Sequence, residues 1–386
     1  MTHRMSVVMV AEKLPPEFTG SGKQAMYLSE ALRGLGCKVT ALCSWPAGTQ
    51  LPSVDNGIQV VRLICPPAGW RRSLEFALKA SWWLVRNRSS YDVIHVHGYC
   101  WAALVVPFLG KPCIYKTAIP GDDDPASIRK SRGGWLKSIP ISRYDAYPAI
   151  STLVARVLTF TLGSSNRVKS IPNGVDARFS PGEGITGTSA RKAVRIRYNL
   201  PEESLLVLYL GSLQARKGVD LLARAWLAVV ERIPRARLLM VGPHDPQGEY
   251  IQQLKATLGD NYKRTAAVGD RVDDPLELYR AAELFVFPSR NESFGNVLVE
   301  AMACGCACVA TRIDGVTEEI ITSGHDGVIV PPENPGAIAG AILDLLNDEP
   351  KRHRLAENAL RTVEERYKIS KIAERYLELY AHLCHR

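Results

Sequence analysis

The tightest constraint on the fold is a repeated alternation of short apolar runs with amphipathic helical stretches. Near the start, MSVVMVAEK reads as a buried strand. A loop holding Gly20 and Gly22 follows, then a helical pattern from about Lys23 to Leu35 closed by Gly36, then the strand CKVTALC. Strand, loop, helix, strand is a βαβ unit, which dictates a parallel sheet. IQVVRLI, YDVIHVH and KPCIYKT add strands, and RYDAYPAIS precedes a helix capped by Ser151. IPNGVD then supplies a turn at Asn173-Gly174. After residues 178–192, which are rich in Gly, Ser and Thr and lack periodicity, the alternation restarts with SLLVLYLGSL and GVDLLARAWLAVVERI. A chain of 386 residues therefore reads as two α/β domains, 1–177 and 193–369, joined by a linker at 178–192.

One stretch of the second domain carries most of the chemistry. FVFPSRNESFGNVLVEAMA, residues 285–303, reads as a strand, a break at Pro288, and a helix from about Phe294. The loop lies at the carboxyl end of the strand, where open α/β sheets bind ligands. Glu292 precedes the helix and Glu300 lies eight positions on. Eight residues at roughly 100° each return to within about 80° of the starting direction after a rise of about 12 Å. Two carboxylates can thus meet the two ends of one ligand. Between them the amides around Phe294, Gly295 and Asn296 form a helix start, which favours an anion such as phosphate. Taken alone, two glutamates at this spacing are equally well solvated charges flanking a helix.

ESFGNVLVE, within FVFPSR…EAMACG, resembles the E-x7-E motif of the retaining family 4 glycosyltransferases. The resemblance is strong over 205–345 and weaker over 1–175. It implies the GT-B fold, with two Rossmann-like domains facing each other across a cleft and a last helix, roughly 370–386, crossing back to the first domain. It implies transfer of a hexose from a UDP- or GDP-linked sugar with retained configuration. Glu300 would take the donor ribose, and Glu292 with Ser293 would face the transferred sugar. In LGSLQARKGVD, Lys217 matches the cation that grips the donor diphosphate. Ser212 stands where the family has an arginine, and Arg216 in the same loop is the candidate substitute. Gly211 lets backbone approach phosphate. The TGSGK loop resembles, loosely, the family's glycine-rich loop, which makes Gly22 a donor-side candidate; a glycine pair in a loop is otherwise a turn. It is no phosphate-binding Walker loop, lacking the leading Gly and the Lys-Ser/Thr pair.

The first half departs from the family. Many members carry a His where this chain has Lys116, which puts a His-dependent role in doubt and leaves a Lys to bind phosphate or hydroxyl by charge. His95 and His97 end YDVIHVH on one face; a structural role competes there with a place on the acceptor side, the latter better suited to His97. AIPGDDDPASIRKSRGGWLKSIPISR reads as a long irregular loop facing the acceptor, with Asp122 and Asp124 in an acidic cluster. The family needs no protein-bound metal, so no cofactor is expected beyond the donor itself. No carboxylate stands out as a nucleophile, which favours same-face substitution over a covalent intermediate. A sugar-nucleotide 2-epimerase of the same fold, or a non-catalytic sugar-nucleotide or polysaccharide binder, are the alternatives.

Charge narrows the partners. Residues 1–175 hold 21 Lys and Arg against 10 Asp and Glu, whereas 176–386 hold 27 against 29. A basic half suggests an anionic surface. No nucleic-acid motif is present, so an anionic bilayer or a lipid-linked acceptor fits better than nucleic acid. In residues 69–88, Trp70, Leu74, Leu78, Trp82 and Val85 recur at helical spacing among basic residues. That pattern suits a membrane-touching helix or, preferably, a crossover helix with snorkelling basics. No run of 18 apolar residues appears, and MTHRMSVVMVAEK has too short an apolar stretch for a signal peptide. Nine cysteines without a metal-like His partner, CGCAC included, read as buried reduced thiols. A cytoplasmic protein, active in surface-polysaccharide or exopolysaccharide synthesis and peripheral to the inner face of the membrane, is the expectation.

Overall fold

The computed structural model describes residues 4–17, 19–49, 57–117, 123–131, 133–181, 188–245 and 247–385. The chain divides into two compact units, Met1–Gly174 with Lys368–Arg386, and Val175–Tyr367.

The first unit is built on strands β1 (Ser6–Val10), β2 (Lys38–Pro46), β3 (Gln59–Cys65), β4 (Val93–His97) and β5 (Cys113–Lys116), in the spatial order β3-β2-β1-β4-β5. Every pair is parallel. Near-continuous apolar strands such as SVVMV are what a sheet covered on both faces requires. A short pair, β6 (Tyr147–Ala149) and β7 (Val168–Ser170), adjoins it through a bridge from Ile114 to Ala146. The last helix, Ile369–Cys384, belongs to this unit. It buries Ile372, Ala373, Tyr376 and Tyr380 against the core formed by Met9, Leu28 and Leu32.

The second unit carries β8 (Leu205–Leu210), β9 (Ala236–Val241), β10 (Ala266–Gly269), β11 (Leu284–Phe287), β12 (Ala307–Thr311) and β13 (Val328–Val330), in the order β10-β9-β8-β11-β12-β13. The chain runs outward from β8 to β10, then returns to lay β11 on the other side of β8. The order therefore reverses between β8 and β11, the switch point outside whose strand ends ligands bind in open α/β sheets. Trp226, fully buried in the Val219–Arg232 helix, anchors the core on one face of this sheet, and its indole N–H donates to Thr265 Oγ1 at 3.1 Å. Burying a ring of that size contributes on the order of 2–3 kcal/mol.

Three sequence expectations change. The TGSGK segment is not a loop: Thr19 caps a helix running Gly20–Gly34, its hydroxyl accepting from the Gly22 amide at 3.0 Å. Part of the 178–192 linker is helix, Thr188–Arg197, and residues 182–187 lie outside the described residues. That helix buries Ala190 and Val194 and is tied down by two arginines. Arg191 meets the buried Glu283 at 2.6 Å, and Arg195 donates to the Ser204 carbonyl at 2.7 Å. The expected irregular loop after β5 contains two helices, Pro125–Lys130 and Gly134–Ile141; an Asp-Pro pair starts the first, with proline in the first turn where its missing N–H costs nothing. Among the described residues, no helix is long and apolar enough to cross a membrane, and no cluster of His, Cys, Asp or Glu is set to hold a metal. All nine cysteines are free, and all but Cys384 are buried.

Candidate active site

The loops after β8 and β11 are pressed together at the point where the strand order reverses. Gly218 makes this possible. Its φ is +67°, and a Cβ there would lie 1.8 Å from the Pro288 carbonyl oxygen, so only glycine lets the two backbones touch. Around that contact the loops interlock. The Arg290 amide donates to the Arg216 carbonyl at 3.0 Å, and Arg216 Nη1 donates to the Asn291 carbonyl at 3.0 Å. Lys217 Nζ pairs with Glu292 Oε1, which also accepts from Ser289 Oγ at 3.1 Å. The side chains of Lys217 and Glu292 are 18% and 13% exposed, so this ion pair is sheltered yet open at one side.

Arg290, which sequence reading passed over, clamps the corner. It meets Asp220 and Glu333, each at 2.6 Å. Burial would raise the Asp220 carboxyl, but hydrogen bonds from Arg290 and Arg224 outweigh it and hold its pKa at about 2. Those two carboxylates hold the Arg290 guanidinium above its ordinary range. Its charge is thereby spent on holding the loops. The signal was one arginine two positions before Glu292 (Arg290-Asn291-Glu292), whose partners 70 residues upstream and 43 downstream only the fold supplies.

The helix after this loop runs Asn296–Ala303 and starts two residues later than expected, because Gly295 adopts φ +121° as its cap. No side chain caps it, and the Gly295 carbonyl accepts from Leu298 at 3.0 Å. Ser293 and Asn296 are partly exposed at this turn. Phe294 is not at the surface: its ring is 5% exposed and packs edge-on against Tyr367, with centroids 5.8 Å apart. Glu300 is 8% exposed and accepts from the Tyr279 hydroxyl at 3.0 Å. Burial and the Glu300 carboxylate push the Tyr279 pKa well up, so it stays a donor. Gly211 lies at the end of β8 with φ +152°, and a Cβ on the neighbouring Gly242 would sit 2.0 Å from the Gly211 carbonyl oxygen. Ser212 is partly exposed, and its carbonyl accepts from Tyr209 at 2.8 Å.

In the first unit, Lys116 and His97 are register partners on β5 and β4. Lys116 is buried, its ammonium 5.6 Å from the centre of the Tyr376 ring, and burial lowers its pKa to about 7. The His97 ring stacks on His95 at 4.1 Å, and neither of its nitrogens has a hydrogen-bond partner. His95 Nδ1 lies 2.7 Å from the Tyr380 hydroxyl. Burial is the main cause holding both histidines well below their ordinary pKa, hence neutral. Asp124, expected on the acceptor side, is turned inward. It is 1% exposed and caps the Pro125–Lys130 helix, accepting from the amides of Ala126 and Ser127 at 2.9 and 3.1 Å. Asp122 lies outside the described residues. Gly22 is explained by packing: a Cβ there would lie 2.4 Å from the Lys13 carbonyl oxygen.

Comparison with known proteins agrees with this architecture. Residues 18–179 match the family model Glycosyltransferase Family 4, and residues 190–362 match Glycosyl transferases group 1. The chain is 29% identical to D-inositol 3-phosphate glycosyltransferase of Xylanimonas cellulosilytica, over 94% of this chain and 91% of that one. It is 30% identical to D-inositol 3-phosphate glycosyltransferase 1 of Catenulispora acidiphila, over 72% and 69%. The crystal structure of Anabaena Alr3699/HepE in complex with UDP-glucose superposes with a TM-score of 0.77 at 19% identity, covering 98% of this chain and all of that one. Two parallel-sheet units, the reversal of strand order between β8 and β11, and these matches agree: the chain belongs to the family 4 glycosyltransferases and has the GT-B fold.

Proposed function

We propose that this glycosyltransferase moves a hexose from a UDP- or GDP-linked donor to a glycan or lipid-linked acceptor, with retained anomeric configuration, in surface-polysaccharide or exopolysaccharide synthesis. The observation that carries it is the Lys217–Glu292 pair, formed by two loops at the strand-order reversal. An anion arriving there competes with Glu292 for Lys217. The donor diphosphate takes the cation, and Glu292 is released to accept hydroxyls of the transferred sugar. Arg216, exposed in the same loop, adds a second positive charge. Glu300 receives the ribose, oriented by Tyr279, and the amides at Gly295 and Asn296 face phosphate.

As the bond from the anomeric carbon to the diphosphate oxygen breaks, negative charge grows on the leaving group. Fixed cations stabilise it without reorganising. The acceptor oxygen bonds to the same face of that carbon, and its proton passes to a diphosphate oxygen. The first unit takes the acceptor, with Lys116 and His97 as its polar groups. In the Anabaena relative, UDP-glucose is the bound molecule, which makes UDP-sugars the first donors to try.

The test is a thermal-shift panel of nucleotide sugars, followed by donor turnover in Lys217→Ala and Glu300→Ala. A bound donor raises stability by mass action, about 2.7 kcal/mol at a hundredfold excess over Kd. Both variants should lose donor turnover while keeping their fold. Full activity in both sinks the assignment.

A further inference from the structure

The Trp70–Arg86 helix presents an apolar stripe to solvent that packing inside its unit does not explain. Its inner face buries Phe76, Ala77, Ala80 and Leu84. Its rotation is pinned by Arg72, 4% exposed, which pairs with Glu17 and donates to Ser44 Oγ at 2.9 Å. The stripe Leu78, Trp82 and Val85, spaced i, i+4, i+7, therefore points outward, at 64%, 64% and 58% exposure. The sequence pattern favours a packed crossover helix; the helix does pack on its unit, but through a face other than this stripe.

The stripe has neighbours. The helix packs against the turn Trp101–Leu104, and so does the helix Gly134–Ile141. That second helix exposes Trp135, Leu136 and Ile139, and Phe108 lies exposed in the adjoining turn Val106–Phe108, against which it also packs. Large apolar groups in this concentration mark an interaction surface. Cations frame them. The Arg86 guanidinium lies 5.5 Å from the centre of the Trp82 ring, and that of Arg143 lies 5.4 Å from Phe108. At the end of the Trp70–Arg86 helix is an open, shallow hollow of about 600 Å³ lined by Val85, Arg86, Arg88, Ser89, Gly110 and Lys111. It holds three cations and no carboxylate.

We propose that this face docks on an anionic phospholipid bilayer. Trp82, Leu78 and Trp135 enter the headgroup boundary, and Arg86, Arg88 and Lys111 receive lipid phosphate. Aromatic rings with an adjacent cation suit that boundary, where one end is apolar and the other wet. A protein partner would not need a three-cation hollow beside the stripe, whereas a layer of phosphates supplies the complementary charge. The inference goes beyond the proposed transfer reaction and does not depend on it.

The experiment is co-sedimentation of the full chain with vesicles of phosphatidylcholine, alone and mixed with phosphatidylglycerol. Sedimentation with the mixed vesicles, reversed by salt, is expected. Leu78→Ser with Trp82→Ser should lower partition at least about tenfold. Arg86→Gln and Lys111→Gln should each lower it roughly fivefold, the equivalent of about 1 kcal/mol per basic group near an anionic surface. Ile196→Ser, which removes an exposed side chain of the second unit, is the control and should change nothing. Circular dichroism of each variant checks its fold. Equal binding to both vesicle types, no binding, or wild-type partition in the Leu78/Trp82 variant overturns the proposal. So does a dimer in solution that the same variant dissolves, since the face would then belong to a second copy.

Discussion

Replacing Gly218 with alanine tests whether the two site loops must touch. The residue sits at φ +67°, where a side chain costs about 1–2 kcal/mol. The new Cβ would also lie 1.8 Å from the Pro288 carbonyl oxygen, and no real Cβ approaches within 3.0 Å. The backbones must part by about 1.2 Å, and such overpacking adds about 1–3 kcal/mol. The total, about 2–5 kcal/mol, should appear as a Tm loss of roughly 5 °C or more in a unit of this size. The functional loss should exceed the stability loss. Lys217 is the preceding residue, and a displacement of about 1 Å at a positioned group can cost on the order of a hundredfold in rate. Gly248→Ala separates the two effects: φ is +70° there, but nothing lies within 4 Å. That variant should pay the backbone strain alone and keep its turnover. The assays are calorimetric unfolding, donor binding by titration calorimetry, and donor turnover. Should both variants lose equal stability and both retain donor affinity, the loop contact is not what positions Lys217.

Three further outcomes are expected. Tyr279→Phe leaves the buried Glu300 carboxylate short of a donor, which should cost about 1–3 kcal/mol in urea unfolding and weaken donor binding severalfold; unchanged binding would remove Glu300 from the site. Lys116 has a pKa of about 7 in the folded protein against 10.5 ordinarily, so the unfolded chain binds more protons between those values and stability rises with pH across that window. His95 and His97, held below 6.5, add a further loss as pH falls below 6.5. Lys116→Met should flatten the rise above pH 7 and keep the loss below 6.5, read as Tm against pH; an unaltered profile refutes the assignment. Thiol titration of the native chain should give one fast-reacting cysteine, Cys384, and nine after denaturation; several fast thiols in the native state would contradict the burial of the rest.

Much of the candidate site is legible in the sequence because its parts are local. Glu292, Glu300 and the helix between them lie within nine residues, and helical geometry alone relates them. Lys217 was legible by resemblance, as one motif residue at the end of a strand. Arg290 was not, since its meaning rests on Asp220 and Glu333, far off in the chain. The TGSGK segment misled because glycine marks loops and close-packed helix starts alike, and the carbonyl of Lys13 decides which. Asp124 reads in the sequence as part of an acidic cluster facing the acceptor, whereas in the fold its carboxylate is taken by the amides at a helix start.

The sequence by itself determined the alternation of strands and helices, because apolar periodicity and turn residues act over a few positions. It determined the two-unit plan, the acidic and basic residues available, and their division into a basic half and a nearly neutral one. Only the tertiary structure decided that β11 returns beside β8, which sets Lys217 against Glu292 across 75 positions of chain. It also decided which face of the Trp70–Arg86 helix is inside: Phe76, Ala77, Ala80 and Leu84 pack inward, and Arg72 meets Glu17 and Ser44 from the same face. Pairing of that kind depends on distances through space, and local pattern does not encode them.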